Sequence, residues 1–267
     1  MTPPPSASAE YTLAGVYPER PSLAKKSKGP DLIAEGVRSV YLNSFVRKSK
    51  IPIPFWAVLF GGARVHLSLC EFVKRVLDAI GATALIVISV PLLLLVAVVV
   101  KVSSPGPVLF SQMRVGLNGR KFVMYKFRTM VDGAESMKAG LAKRNEAGKI
   151  LFKMRNDPRV TEIGRIMRRA SLDELPQLWN VLRGEMSLVG PRPPVPSEVV
   201  KYTPKMLERL SVRPGMTGLW QVSGRSEIPC RRGFALDIWY TQQKSLTLDL
   251  AILVNTIPAV LLRRGAF

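Results

Sequence analysis

One histidine, His66, and two cysteines, Cys70 and Cys230, are all that 267 residues hold of the side chains most used for neutral-pH nucleophilic and zinc chemistry. Neither cysteine lies in a CxxC, which argues against a disulfide framework or a structural zinc site and fits a reducing compartment. His66 sits in an apolar stretch where packing is its expected role, so Ser–His and Cys–His nucleophile pairs lose their usual base. Acidic side chains are scarce too, 19 against 39 Lys and Arg, for a formal net charge of +20. Such an excess implies an anionic partner: nucleic acid, acidic lipid or a phosphorylated substrate. Any catalysis must rest on carboxylates, lysines and arginines, with or without a hard metal.

Residues 1–69 form a first region, basic and without sustained periodicity, rich in Pro, Ser, Ala and Lys and expected to be largely disordered. The start lacks the basic-then-apolar order of a secretory signal. Ile51–Ala63 is apolar but short and broken by two prolines and two glycines, as in an interfacial segment.

Residues 70–102 are different. Between Asp78 and Lys101 run 22 uncharged residues, enough for a helix of about 33 Å and for the apolar core of a bilayer. Pro91 falls near the middle, removes the bond to the Val87 carbonyl, and leaves Ser89 placed to satisfy freed backbone. With Lys74 and Arg75 before the run and Lys101 after it, charge gives no inside–outside asymmetry. A helix–break–helix hairpin entering and leaving on one side fits, and a kinked spanning helix would show much the same pattern.

Residues 103–267 have no second long apolar span. Val108–Met113 and Lys121–Phe127 read as strands around a Gly116–Gly119 turn. Glu162–Arg169, Glu174–Leu182 and Pro204–Leu210 read as helices, and Leu246–Leu262 as an amphipathic helix able to lie on a membrane surface. The fold class is α+β, mainly helical, with a small β-hairpin.

The acidic pair Asp173–Glu174 stands out against this basic background, preceded by Arg165, Arg168 and Arg169 and followed by Arg183 and Arg192. Two adjacent carboxylates stay ionised only with cations, a metal or a helix N-terminus nearby. Ser171–Glu174 has the form of a capping box, although Pro176 makes Asp173 an alternative cap. Arg165, Arg168 and Arg169, at i, i+3 and i+4, would share one helix face leading into the pair. This pattern suits phosphate chemistry; a solvated helix start is the plain alternative.

Several motifs then follow in a fixed order: the apolar run with its proline, SPGPVLF (Ser104–Phe110), YKFRTM (Tyr125–Met130) and NDPRVTEIGR (Asn156–Arg165). SLDELPQLWNVLRGEMSLVGPRP (Ser171–Pro193), RPGMTGLWQVSGR (Arg213–Arg225) and LDIWY (Leu236–Tyr240) complete it. From about Cys70 onward the chain resembles the bacterial sugar transferases, monotopic polyprenyl-phosphate phosphoglycosyl transferases. The resemblance implies a two-step transfer that initiates exopolysaccharide, capsule or O-antigen synthesis. Asp173 would attack a nucleotide diphosphate sugar, and polyprenyl (undecaprenyl) phosphate would then take the sugar phosphate from the enzyme. Catalysis is thereby assigned to Asp173 and Glu174, with both carboxylates, Glu174 above all, holding Mg2+. Arg168, Arg192 and Arg225 match phosphate-gripping positions; Lys126, Arg128 and Asp237 match motif positions of binding or structural role. The family break is re-entrant, with the catalytic domain on the cytoplasmic side of the bacterial inner membrane. Serine usually precedes the family's proline directly; here Val90 does, and the serine is Ser89.

Donor nucleotide sugar, lipid acceptor and membrane lipids are the partners so implied, and homo-oligomerisation stays open. Two other readings are a membrane-anchored protein binding nucleic acid or anionic lipid, and a nucleotide-sugar hydrolase. No nucleic-acid recognition motif accompanies the charge, so nucleic acid is not expected as the main partner. A hydrolase would need no membrane seat.

Overall fold

The computed structural model describes residues 67–146, 150–152 and 154–262. The N-terminal region, with Ile51–Ala63 and His66, lies outside the described residues.

The uncharged run forms one helix, α1 (Leu67–Ser103), with Pro91 inside it. The expected break is therefore not an interruption of secondary structure. Proline deletes a single N–H, and Ser89 donates to the carbonyls of Leu85 (2.6 Å) and Ile86 (3.2 Å), a turn ahead of the proline rather than at Val87. Apolar side chains stand exposed along α1, including Phe72, Ile80, Val87, Ile88, Leu94, Leu95 and Val102. Burial is confined to a few positions: Ala82 packs beside Phe122, Met124, Leu178, Val181 and Met186, while Val96 and Val100 pack against Phe127 and Met167.

Polar contacts reinforce both ends of α1. Lys74 pairs with Asp249 at 2.6 Å, and Arg75 donates to the carbonyls of Val181 and Leu182. The Asp78 carboxylate accepts from the Leu188 N–H at 3.0 Å, and Arg128 donates to the carbonyls of Val100 and Ser104. The two halves of α1 thus dock on one globular body.

After α1, strands β1 (Leu109–Val115) and β2 (Lys121–Phe127) form an antiparallel hairpin with Val115 opposite Lys121. Asn118 and Gly119, at φ 53° and 79°, turn the chain where left-handed backbone is needed, and β1 extends two residues beyond its expected end. Helix α2 (Glu162–Arg169) is capped by Thr161, whose hydroxyl accepts from the Gly164 N–H at 2.9 Å. Next come α3 (Gln177–Leu182), β3 (Ser187–Val189), α4 (Pro196–Val199) and α5 (Pro204–Leu207), the last continuing as a 3₁₀ turn to Ser211. Then follow β4 (Gly215–Thr217), α6 (Leu219–Val222), α7 (Cys230–Gln243) and α8 (Leu246–Leu261).

Strands β3 and β4 pair in parallel, and a Cβ on Gly215 would lie 2.0 Å from the Gly190 backbone nitrogen, so glycine is required there. Beneath them Val189, Leu219, Trp220, Leu236, Tyr240, Leu248 and Ile252 form the largest core cluster, each full burial contributing roughly 1.5–3 kcal/mol. Asn180 locks α3 to the hairpin, accepting from the Tyr125 N–H and donating to the Val123 carbonyl at 2.7 Å. The mainly helical α+β class with a small hairpin agrees with expectation.

Candidate active site

At the end of α2 the chain reverses through Ser171, whose φ of 56° is left-handed, and enters a 3₁₀ turn, Leu172–Glu174. The capping box does not form. Pro176 occupies the position before α3, and the Ser171 hydroxyl makes no cap; it receives Arg225 Nη1 at 3.3 Å instead. The acidic pair therefore occupies the tight turn ahead of α3, with Asp173 buried and Glu174 half-buried.

Glu174 Oε1 lies 2.5 Å from Lys126 Nζ on β2. Burial pushes the Glu174 carboxyl up, but Lys126, Arg225 and Arg192 outweigh it and hold the group below its ordinary value. Asp173 goes the other way. Burial raises it, Glu174 adds to the rise, and Lys126 and Arg168 offset only part. Neighbouring carboxylates thus diverge: one is firmly anionic, the other more basic and shielded from water.

Arg168 is half-buried, its Nε donating to Thr129 Oγ1 at 2.9 Å. Burial lowers its pKa, opposed by the negative charges of Asp173 and Asp157. Arg165 and Arg169 are exposed, so the expected three-arginine face delivers only Arg168 to the site. Arg225 has a left-handed φ of 48°, and its carbonyl accepts the Trp220 indole N–H at 2.9 Å. Arg192 pairs with Glu198 at 3.3 Å. Lys126, Arg168, Arg192 and Arg225, from β2, α2, the loop after β3 and the turn after α6, all bear electrostatically on the pair.

Arg128 and Asp237 are used elsewhere. Arg128 is buried against the C-terminal end of α1, bonded to Ser104 O at 2.7 Å and Ser104 Oγ at 3.0 Å. Gly106 makes room for it, since a Cβ there would lie 2.2 Å from Arg128 Nη1. Asp237, on α7, forms a fully buried ion pair with Arg209, and burial lifts its carboxyl to about 6 despite that cation. Arg209 also donates to Tyr202 Oη and lies over the Phe234 ring. Arg209 lies outside the ordered motifs, and Thr129 and Asn180 lie within them without being singled out, because their partners are distant in the chain.

Among the described residues, no group of three or more His, Cys, Asp or Glu side chains is arranged to hold a metal. The Asp173–Glu174 pair still fits magnesium, which commonly takes one or two carboxylates and completes its shell with water and substrate phosphate.

The sequence profile of the bacterial sugar transferase family matches residues 69–263, and the chain belongs to that family. Similar proteins include the UDP-galactose-lipid carrier transferase of Erwinia amylovora, 42% identical over 201 residues (74% of this chain, 42% of that one). Exopolysaccharide production protein ExoY of Rhizobium meliloti is 43% identical over 198 residues, covering 73% of this chain and 88% of the relative. The UDP-glucose:undecaprenyl-phosphate glucose-1-phosphate transferase of Caulobacter vibrioides is 44% identical over 205 residues, 73% and 72% of the two chains. The chain thus spans less than half of the Erwinia relative and most of the other two.

Proposed function

We propose that this protein transfers a sugar 1-phosphate from a nucleotide diphosphate hexose, a UDP-sugar by analogy with its relatives, to undecaprenyl phosphate. The carrying observation is a buried carboxylate, Asp173, whose pKa is raised by burial and offset in part by Lys126 and Arg168, next to Glu174, which Lys126, Arg225 and Arg192 hold anionic. In the first step an Asp173 oxygen attacks the β-phosphorus. The bond from that phosphorus to the bridging oxygen breaks, and nucleoside monophosphate leaves with the electron pair. In the second, an oxygen of the lipid phosphate attacks the same phosphorus, the Asp173 carboxylate is released, and a diphosphate-linked sugar lipid forms. Arg168, Arg192 and Arg225 grip phosphoryl oxygens, and Lys126 keeps Glu174 anionic. Magnesium held by Glu174 and Asp173 would neutralise diphosphate charge.

The same reading makes α1 re-entrant. A spanning helix would carry its ends to opposite sides of an apolar layer about 30 Å thick. The docking of Lys74, Arg75 and Asp78, and of Val96 and Val100, on one body favours a single side. On α8, Leu250, Val254, Ile257 and Leu261 form an exposed row at helical spacing, suited to the same membrane surface. Placement on the cytoplasmic face follows from the nucleotide-sugar donor.

Product analysis tests this function. Incubated with a UDP-hexose alone, the enzyme should release no more than one UMP per active site; undecaprenyl phosphate should convert that burst into turnover. Continuous UMP release without lipid acceptor would instead identify a hydrolase.

A further inference from the structure

The loop that carries Arg192 is fastened through three successive carbonyls, each to a donor from elsewhere in the chain. Arg209 Nη2 donates to Arg192 O at 2.9 Å, Arg114 Nη1 to Pro193 O at 2.9 Å, and the Val115 N–H to Pro194 O at 2.9 Å. Both guanidinia are buried. Arg209 has its counter-ion in Asp237. Arg114 has none: its other bonded nitrogen donates to Gln112 Oε1 at 2.6 Å, and no ion pair reaches it among the described residues. Burial and repulsion from Arg192 lower its pKa to about 9, with Glu198 and Glu174 opposing.

A buried cation without a paired carboxylate is costly, and fastening a loop needs only a donor. A rigid fork gives more, because it fixes direction as well as distance. Direction matters here. The Arg192 side chain has one long contact, to Glu198 at 3.3 Å, so its aim is set chiefly by its backbone.

We infer that Arg114 and Arg209 are positioning residues that fix the carbonyls of Arg192 and Pro193 and so aim the Arg192 guanidinium at the donor's phosphates. This rests on the phosphate-gripping role proposed for Arg192.

The test is a double-mutant cycle on the full chain, reading kcat and KM with UDP-galactose, UDP-glucose and undecaprenyl phosphate, and monitoring thermal unfolding. Arg192→Ala should cut kcat/KM about a hundredfold and Arg114→Lys about tenfold, and the double variant should be no worse than Arg192→Ala alone. Losses that multiply to about a thousandfold would overturn the inference, since Arg114 would then act independently of Arg192. If Arg114→Lys fails to fold, Gln112→Ala replaces it in the cycle; its smaller loss should likewise vanish in the Arg192→Ala background, and persistence there would overturn the inference. Wild-type turnover with full activity in Arg192→Ala would remove the phosphate-gripping role, and the inference with it. Absence of wild-type turnover with either donor would instead contradict the proposed function.

Discussion

Lys126 Nζ meets Glu174 Oε1 at 2.5 Å, while Asp173, the preceding residue and more deeply buried, makes no ion pair among the described residues. The contact cation therefore sits on the carboxylate that is held anionic, and Asp173, its pKa raised by burial, is left without one.

One consequence is a pH signature. A nucleophilic Asp173 must be ionised, and burial raises its pKa, so under the proposed function the acid limb of kcat/KM should lie above the ordinary carboxylate range. Lys126 lowers that pKa, so Lys126→Met should move the limb to higher pH. An unshifted limb in an active Lys126→Met enzyme would assign the limb to another group.

Arginine geometry supplies a second test. Arg168→Lys, Arg192→Lys and Arg225→Lys each retain charge but lose the planar fork. Each should lower kcat/KM by about ten- to a hundredfold, the equivalent of roughly 1.5–3 kcal/mol for a charge-assisted phosphate contact. Wild-type rates in all three would make these arginines an electrostatic background only.

Asp237→Asn should behave differently. It leaves Arg209 buried without its counter-ion, and breaking such a pair costs about 3–5 kcal/mol of stability. The unfolding temperature should fall sharply, and any change in donor KM in the surviving folded enzyme should vanish in the Arg192→Ala background. A large KM change with unaltered stability would return Asp237 to the substrate site.

Membrane seating is tested by cysteines placed beside Arg75 and Lys101 in a background lacking Cys70 and Cys230. Both should resist an impermeant thiol reagent applied from the periplasmic side. Pro91→Leu restores the missing N–H and favours a full crossing, so one end should become reactive and transfer should fall. A wild-type protein with its two ends labelled from opposite sides would make α1 a spanning helix.

The parts legible in the sequence are those with local causes. Turn residues between two strand-like runs mark the Leu109–Phe127 hairpin, and the helix expected over Glu162–Arg169 forms over those same residues. Adjacent acids in a basic run mark Asp173 and Glu174 without any fold. Less legible are side chains whose partners are remote. Arg128 is defined by the Val100 and Ser104 carbonyls, and Asp237 by Arg209, none of which its own motif contains. Strands β3 and β4 are three residues each, too short to alternate visibly, and approach through Gly215 of β4 and Gly190, the residue after β3. Ser171 satisfies the capping pattern on paper, but a left-handed φ turns its hydroxyl to Arg225.

The central claim is that Asp173 becomes covalently bonded to the sugar phosphate. Intact-protein mass and peptide mapping, after brief reaction with a UDP-hexose panel and no lipid acceptor, address it directly. For an accepted donor, the account predicts a hexose phosphate adduct on the peptide containing Asp173, discharged by undecaprenyl phosphate and absent from Asp173→Asn. An equal adduct on the Asn variant, or rapid transfer by that variant, would contradict it.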